Sequence, residues 1–425
     1  MHDVLTIVMG GGKGTRLYPL TADRAKPAVP FGAKYRLVDI PLSNSIAANF
    51  KKIYVLTQFN TASLHLHIGN TYIFDSFTNG FVEVLAAEQT FTHTGWYEGT
   101  ADAVRKNLVH FRTQKPTHYM ILSGDQLYRM DLRGFFDEHV KSGAEASVAV
   151  LPVNRQDATG FGILTVDTKK RIKKFTEKPP LEKDISSLKI PKTLAARLPN
   201  YEEGKDYLAS MGIYIFNAEA MEAVLDSDEA DFGKEVIPNM IGSRHVNAYF
   251  FNGFWEDIGT IESFYKTSLD LADIYPAFNL YDEEMPIYTR RRDLPPSKLN
   301  SCTISQTLAA DGCIITQSSL SRTVIGIRTI IGEGCTLEGV ICMGADYYEE
   351  PGPEPLEDGH SVPPIGIGRN TRIKQAIIDK NARIGEGCSI GWDGIPPEGD
   401  YDRFFVRDGI IIVPKNGVIP AGTVI

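Results

Sequence analysis

The chain has 425 residues, 43 % hydrophobic and 23 % charged, an ordinary globular composition that is too long for one core and is expected to form two domains. Its formal net charge of −9 excludes the broad basic surface that nucleic acid binding needs, so any positive patch must be local. No apolar run approaches the roughly 20 residues of a membrane helix, and the N-terminal sequence has neither a secretory nor a transit pattern, so a cytoplasmic protein with no membrane partner is expected.

In chain order, residues 4–9 read as a buried strand. It ends in Gly10-Gly11-Gly12-Lys13-Gly14-Thr15-Arg16-Leu17, with Arg24-Ala25-Lys26-Pro27 close behind. Four glycines in five residues leave backbone N–H groups uncovered, and such amides in a tight turn cradle anions. Arg16 adds a planar fork of donors and Lys26 a mobile point charge. Phosphate is therefore the expected ligand. The run is not a P-loop, because Lys13 precedes the last glycine. Nor is it a dinucleotide fingerprint, because the third glycine would fall at Thr15 or Leu17.

Further strands are expected at 52–57, 119–123, 146–152 and 210–216, and helices at 100–111 and 132–142. Several of the strands are apolar throughout, which suits a sheet covered on both faces, and the alternation of strand and helix gives an α/β class. Ligands bind such sheets at the carboxyl ends of the strands. The Gly10 loop and Gly124-Asp125 both lie at such ends. A first domain over 1–275 follows.

After Pro276 the pattern dissolves into Pro, Asp, Glu and Arg, and 276–300 reads as a linker. A six-residue period then takes over in Ile325, Ile331 and Leu337, in Ile367 and Ile373, and in Ile378, Ile384 and Ile390. Gly or Asp directly follows most of these aliphatic residues, as at Gly326, Gly332, Gly368 and Asp379, and small residues such as Cys335, Ala382 and Cys388 fill the fifth place. That period predicts a parallel β-helix over 301–425. The interruptions at 347–364 and 392–403 are expected to be loops. All five cysteines lie in this last third without a C-x-x-C pair, so they are expected to be buried thiols rather than zinc ligands.

Taken together, GGGKGTRLYPLT, RAKPAVPFG, IYVLTQF, FVEVLAAEQ, WYEGTADAV, ILSGDQLYRMD, FTEKP, LASMGIYIF, DFGKEVIP, FWEDIGT, MGADYYE and IIDKNARIG resemble the ADP-glucose pyrophosphorylase family in order and over essentially the whole chain. The resemblance is closest to the cyanobacterial and plant branch. It implies a Rossmann-like nucleotidyltransferase domain with a mixed, mainly parallel sheet, followed by a left-handed β-helix used in oligomerisation and regulation. The implied reaction joins ATP and glucose 1-phosphate into ADP-glucose and pyrophosphate, the activated-sugar step of glycogen or starch synthesis.

By the same resemblance, Arg16, Lys26, Asp125 and Asp257 carry catalysis, the two aspartates by holding Mg²⁺. ATP falls to Gly10, Gly11, Gly12, Gly14, Thr15, Gln58, Gln89, Trp96, Gly99 and Thr100. Glucose 1-phosphate falls to Glu177, Lys178, Ser210, Tyr214, Asp231 and Trp255. Lys380 and Lys415 match the lysines that bind the activator 3-phosphoglycerate, with phosphate as inhibitor, and a homotetramer is implied. Gln126 stands where the family usually has His. Three rival readings are a pyrophosphorylase for another base or sugar, a bifunctional acyltransferase using the β-helix, which shows no catalytic histidine in its repeat, and a non-catalytic regulatory subunit of the same fold. The last would be marked by loss of the loop arginine or the metal aspartates, and Arg16, Lys26, Asp125 and Asp257 are all present.

Overall fold

The computed structural model describes residues 3–87, 95–199, 201–349 and 362–425. The first part of the chain is built on a nine-stranded sheet, its main path running Ile172–Glu177, Gly162–Val166, Tyr207–Asn217, His118–Ser123, Val4–Met9, Lys52–Thr57 and Phe81–Ala86. Ala146–Val153 pairs with Tyr207–Asn217 and carries Val246–Phe250 on its other edge. Ile172–Glu177 and Tyr207–Asn217 run against the other strands, which are mutually parallel.

The apolar runs form strands because each feeds two cores at once. Val4 and Val8 join one buried cluster with Ile53, Val55, Met120 and Leu122, while Leu5 and Ile7 join another with Tyr54, Leu56, Tyr119 and Ile121. Alternate side chains point to opposite faces of a strand, so burial on both faces requires an unbroken apolar run. Each fully buried aliphatic contributes about 1.5–3 kcal/mol. Helices cover the faces. Thr100–Thr113 buries Ala101, Val104, Leu108 and Phe111 at helical spacing. In Leu132–Ser142, the side chain of the N-cap Asp131 accepts from Gly134 N at 2.9 Å, and Gly143 ends the helix at φ 64°. No helix among the described residues is long and apolar enough to cross a membrane.

The strand at 210–216 in fact begins at Tyr207, because a register shift between Ser210 and Tyr214 interrupts its alternation. The stretch read as a linker is docked rather than loose. Tyr288 N donates to Ser43 Oγ (2.8 Å), Tyr72 Oη donates to Tyr288 O (3.0 Å), and Arg129 Nε donates to Met285 O (3.0 Å), with Phe278 and Ile287 buried.

The first strand of the second region, Lys298–Asn300, already lies within that stretch. From there, parallel coils stack in register. One column runs Ile315, Ile331, Ile367, Ile384 and Ile419, and another Leu320, Leu337, Ile373 and Ile390. All five cysteines are free thiols. Cys335 donates to Gly368 O (3.0 Å) and Cys388 to Pro420 O (3.2 Å), so both fill the inward small-residue place with their S–H satisfied. Of the expected loops, 392–403 contributes Gly399–Asp400, which pairs antiparallel with Phe405–Arg407; most of 347–364 lies outside the described residues.

The coils pack on the first region through Val324, Ile341, Met343, Ile377 and Ile412, members of the same buried cluster as Leu17, Leu20 and Ala25. At this seam Arg24 Nη1 reaches both carboxylate oxygens of Asp379, at 2.9 and 3.1 Å, with the side chains 4 % and 1 % exposed.

Candidate active site

Val4–Met9 and His118–Ser123 are parallel neighbours with Met9 opposite Ser123, so the glycine loop and Gly124-Asp125 emerge side by side at the carboxyl edge. The loop is tight. Gly10 donates to Leu56 O at 2.7 Å, and a Cβ there would lie 2.9 Å from the same oxygen. Gly14 has φ 62°, the left-handed conformation that admits glycine freely, and opens the short turn Thr15–Leu17. The amides of residues 11–16 donate to no acceptor among the described residues, and all of these residues but Lys13 line a cleft of about 210 Å³ together with Gly10, Lys26, Asp125 and Gly259.

A second cleft, of about 260 Å³, adjoins the first and shares Met9, Arg16 and Asp125 with it. Its walls include Glu177, Lys178, Ser210, Tyr214, Asp231 and Asp257. Asp125 therefore sits where the clefts meet, and Asp257 lies on the wall of the second. Asp125 is held by Lys26 Nζ at 2.5 Å and by the Ser123 hydroxyl. Burial would raise its carboxyl, but Lys26 and Ser123 hold it below the usual carboxylate range. Asp257 is pushed the other way, by burial and by the negative charge of Asp125, against the pull of Lys26, Arg16 and Lys178. Asp257 Oδ2 and Arg16 Nη2 both crowd Gly259, where a Cβ would lie 2.7 and 3.2 Å from them.

In the second cleft, burial raises the Glu177 carboxyl, with Lys178 opposing; their side chains are 3.6 Å apart. Asp231 caps Gly233 N (2.9 Å) and Lys234 N (3.1 Å) and accepts from the Thr100 hydroxyl (3.2 Å). Gly99 is pressed against Ala230, whose carbonyl accepts from Ala101 N at 2.8 Å. Ser210 Oγ accepts from Gly212 N (3.2 Å), and burial pushes the Tyr214 hydroxyl pKa up.

Beside the glycine loop, Gln58 Oε1 accepts from Tyr97 N (2.9 Å), and Trp96, 59 % exposed, stacks on Phe59 at 5.5 Å. Gln89 lies outside the described residues. Trp255 does not line the cleft. It is 8 % exposed, packs edge-on against Phe161 at 5.1 Å, and commits its indole N–H to Gln126. Ser123 and Gly259 were not singled out by sequence. The first could have been found from its place at the strand end before Gly124-Asp125.

Lys380 lies near Arg36 and Arg292 at the seam between the two regions, and Lys415 acts on its partner Asp346. Lys380 Nζ is 2.5 Å from Asp346 Oδ1, Asn381 Nδ2 donates to Asp346 Oδ2 (3.2 Å) and to Asn416 Oδ1 (3.2 Å), and Asn416 N donates to Lys380 O (3.0 Å). Burial opposes it, yet Lys380, Asn381 and the charge of Lys415 bring the Asp346 carboxyl down to about 2. Burial, reinforced by Arg36 and Arg292, brings Lys380 down to about 8 despite Asp346. Arg36 itself is lowered to about 10 by burial and by Arg24 and Arg292. Arg36, Arg292 and Asp346 are members of this cluster that sequence reading missed, since their proximity exists only once the two regions pack.

Among the described residues no group of three or more His, Cys, Asp or Glu could hold a metal ion. The protein's own contribution at and beside the cleft junction is two carboxylates, which suits an ion that keeps waters and takes phosphate oxygens. Residues 5–274 match the family model described as nucleotidyl transferase, and residues 292–424 match that of a GLGC left-handed parallel beta-helix domain. With a glycine loop, two cleft carboxylates and a mainly parallel sheet in one piece and a stacked β-helix in the other, the chain belongs to the nucleotidyl transferase family.

Proposed function

We propose that the protein is a glucose-1-phosphate adenylyltransferase of the ADP-glucose pyrophosphorylase type. The observation that carries this reading is the meeting of two clefts on Arg16 and Asp125, one lined by free backbone amides and the other by Lys178, Glu177 and Asp231. A triphosphate suits the first and a sugar phosphate the second. The adenine preference and the glucose preference rest on the sequence resemblance.

A sugar-phosphate oxygen attacks the α-phosphorus of ATP. The new P–O bond forms as the bond to pyrophosphate breaks, and the leaving oxygen takes the electron pair. Such a reaction needs alignment and charge neutralisation rather than a protein nucleophile. The loop amides and Arg16 hold the polyphosphate, and Arg16 and Lys26 offset its charge. Lys178, whose backbone N donates to Phe161 O at 3.0 Å, meets the sugar phosphate. Asp125 and Asp257 would hold Mg²⁺, which when bound supplies positive charge to the reacting phosphates.

Regulation at the seam is part of the same proposal. Arg24, Arg36, Arg292, Lys380 and Lys415 form a cation cluster offset by Asp39, Asp346 and Asp379, a setting for a phosphorylated carboxylate such as 3-phosphoglycerate or for inorganic phosphate. Arg24 lies two residues before Lys26 and is bound to Asp379, the neighbour of Lys380. Effector binding at Lys380 can thereby reach the catalytic loop.

Direct displacement has a kinetic consequence. Labelled pyrophosphate should exchange into ATP when glucose 1-phosphate or ADP-glucose is present and not with ATP alone. Absence of exchange with the full set of substrates overturns the reading.

A further inference from the structure

We propose that Gln126 is a positioning residue that clamps the sugar-side wall of the active cleft to the strand carrying Asp257, an inference that rests on the two-substrate reading above. Gln126 follows Asp125 directly and opens the strand Gln126–Tyr128, which pairs antiparallel with Trp255–Asp257 so that Gln126 faces Asp257 across the ladder. Its side chain is 6 % exposed and lies between two partners from distant parts of the chain. Trp255 Nε1 donates to Gln126 Oε1 at 3.1 Å, and Gln126 Nε2 donates to Met211 O at 2.8 Å.

The carboxamide can sit only one way round. An indole N–H is a donor only and a carbonyl an acceptor only, so the oxygen must face Trp255 and the nitrogen Met211. Met211 lies inside the register shift between Ser210 and Tyr214, and Gly212 there has φ 69°. A bulge interrupts the ladder, leaving Met211 without a strand partner among the described residues, and Gln126 Nε2 donates to its carbonyl. Ser210 and Tyr214, at the two ends of that bulge, both line the cleft. One neutral side chain therefore ties the bulged wall to the hairpin that presents Asp257. It adds no charge to a site that already holds Asp125, Asp257, Glu177, Lys178 and Arg16.

Apolar substitutions test the clamp. Gln126→Leu removes both hydrogen bonds at nearly the same volume, and Gln126→Met removes them at nearly the same length. In each, the Michaelis constant for glucose 1-phosphate should rise about tenfold over wild type, the scale of one lost hydrogen bond to a buried carbonyl. The constant for ATP should stay within about twofold, because the clamp does not touch the glycine loop.

Amide hydrogen exchange of the Tyr207–Asn217 strand reads the clamp without turnover. In both variants at pH 8, exchange should speed up there by about fivefold or more against wild type. Unchanged exchange in this strand together with an unchanged sugar constant overturns the proposal, as does an equal rise in both substrate constants. If the wild type turns over neither substrate, the two-substrate reading fails, and the exchange result alone then decides the clamp.

Discussion

Two lysine–aspartate pairs of the same length, Lys26–Asp125 and Lys380–Asp346, each 2.5 Å, have opposite surroundings. Asp125 faces a second carboxylate, Asp257, which burial and the charge of Asp125 raise against the pull of Lys26, Arg16 and Lys178, so the active cleft sets two carboxylates side by side among cations. Asp346 faces Arg36, Arg292 and Lys415 as well as Lys380, so the seam carries a surplus of positive charge. The first setting suits a cation bridging to phosphates, and the second suits an anion competing with a tethered carboxylate. What the pair binds is decided by the third and fourth charges around it.

The largest effect should come from emptying the negative side of this comparison. Asp125→Asn keeps the shape and removes the charge, and pyrophosphate release should fall by about 10³-fold, the scale of losing a preorganised electrostatic group at a reacting phosphate. Circular dichroism should show the fold intact. Retained activity would remove Asp125 from the chemistry.

Next is the strut that joins the two sites. Arg24→Met leaves Asp379 buried and unpaired, which should cost about 3–5 kcal/mol of stability, seen as a lower thermal or denaturant midpoint. The double variant Arg24→Met with Asp379→Leu should recover most of the loss, whereas a midpoint unchanged in the single variant would show the pair contributes nothing.

On the positive side, Lys415→Ala should raise the effector concentration for half-maximal response by about tenfold, within the usual range of allosteric couplings, and leave the unactivated rate alone. An unchanged response would exclude this lysine from effector binding.

The smallest effect is a pH signature. Lys380 titrates at about 8 in the folded chain, below the roughly 10.4 of a free lysine. Between those values the unfolded state binds more protons, so this residue's contribution makes stability rise with pH. Over pH 7 to 9 effector affinity should fall, since the cluster loses one charge while Arg36 and Arg292 keep theirs. Opposite slopes for stability and effector affinity are the expected outcome, and parallel slopes would contradict it.

Local pattern carried most of the fold. The apolar runs at 4–9 and 52–57 and the helix at 132–142 match their elements because both faces or one clear face are buried, and the hexad period is set by the coil itself. The docked stretch before Lys298 was not legible, since Phe278 and Ile287 are isolated apolar residues among prolines and acids. In the site, the Gly10 loop was readable from residue type alone. Asp125, Asp257 and Lys178 were brought together by resemblance, and the structure sets all three in or beside the adjoining clefts. The clamping role of Gln126 and the place of Asp346 in the seam cluster were not readable, because they depend on partners 85 and 34 residues away.

The most direct test of the account is pyrophosphate release with glucose 1-phosphate and each of ATP, UTP, GTP and dTTP in turn, with and without 3-phosphoglycerate. The account predicts turnover with ATP well above the others and stimulation by the effector. No turnover with ATP, or a clear preference for another nucleotide, would contradict it.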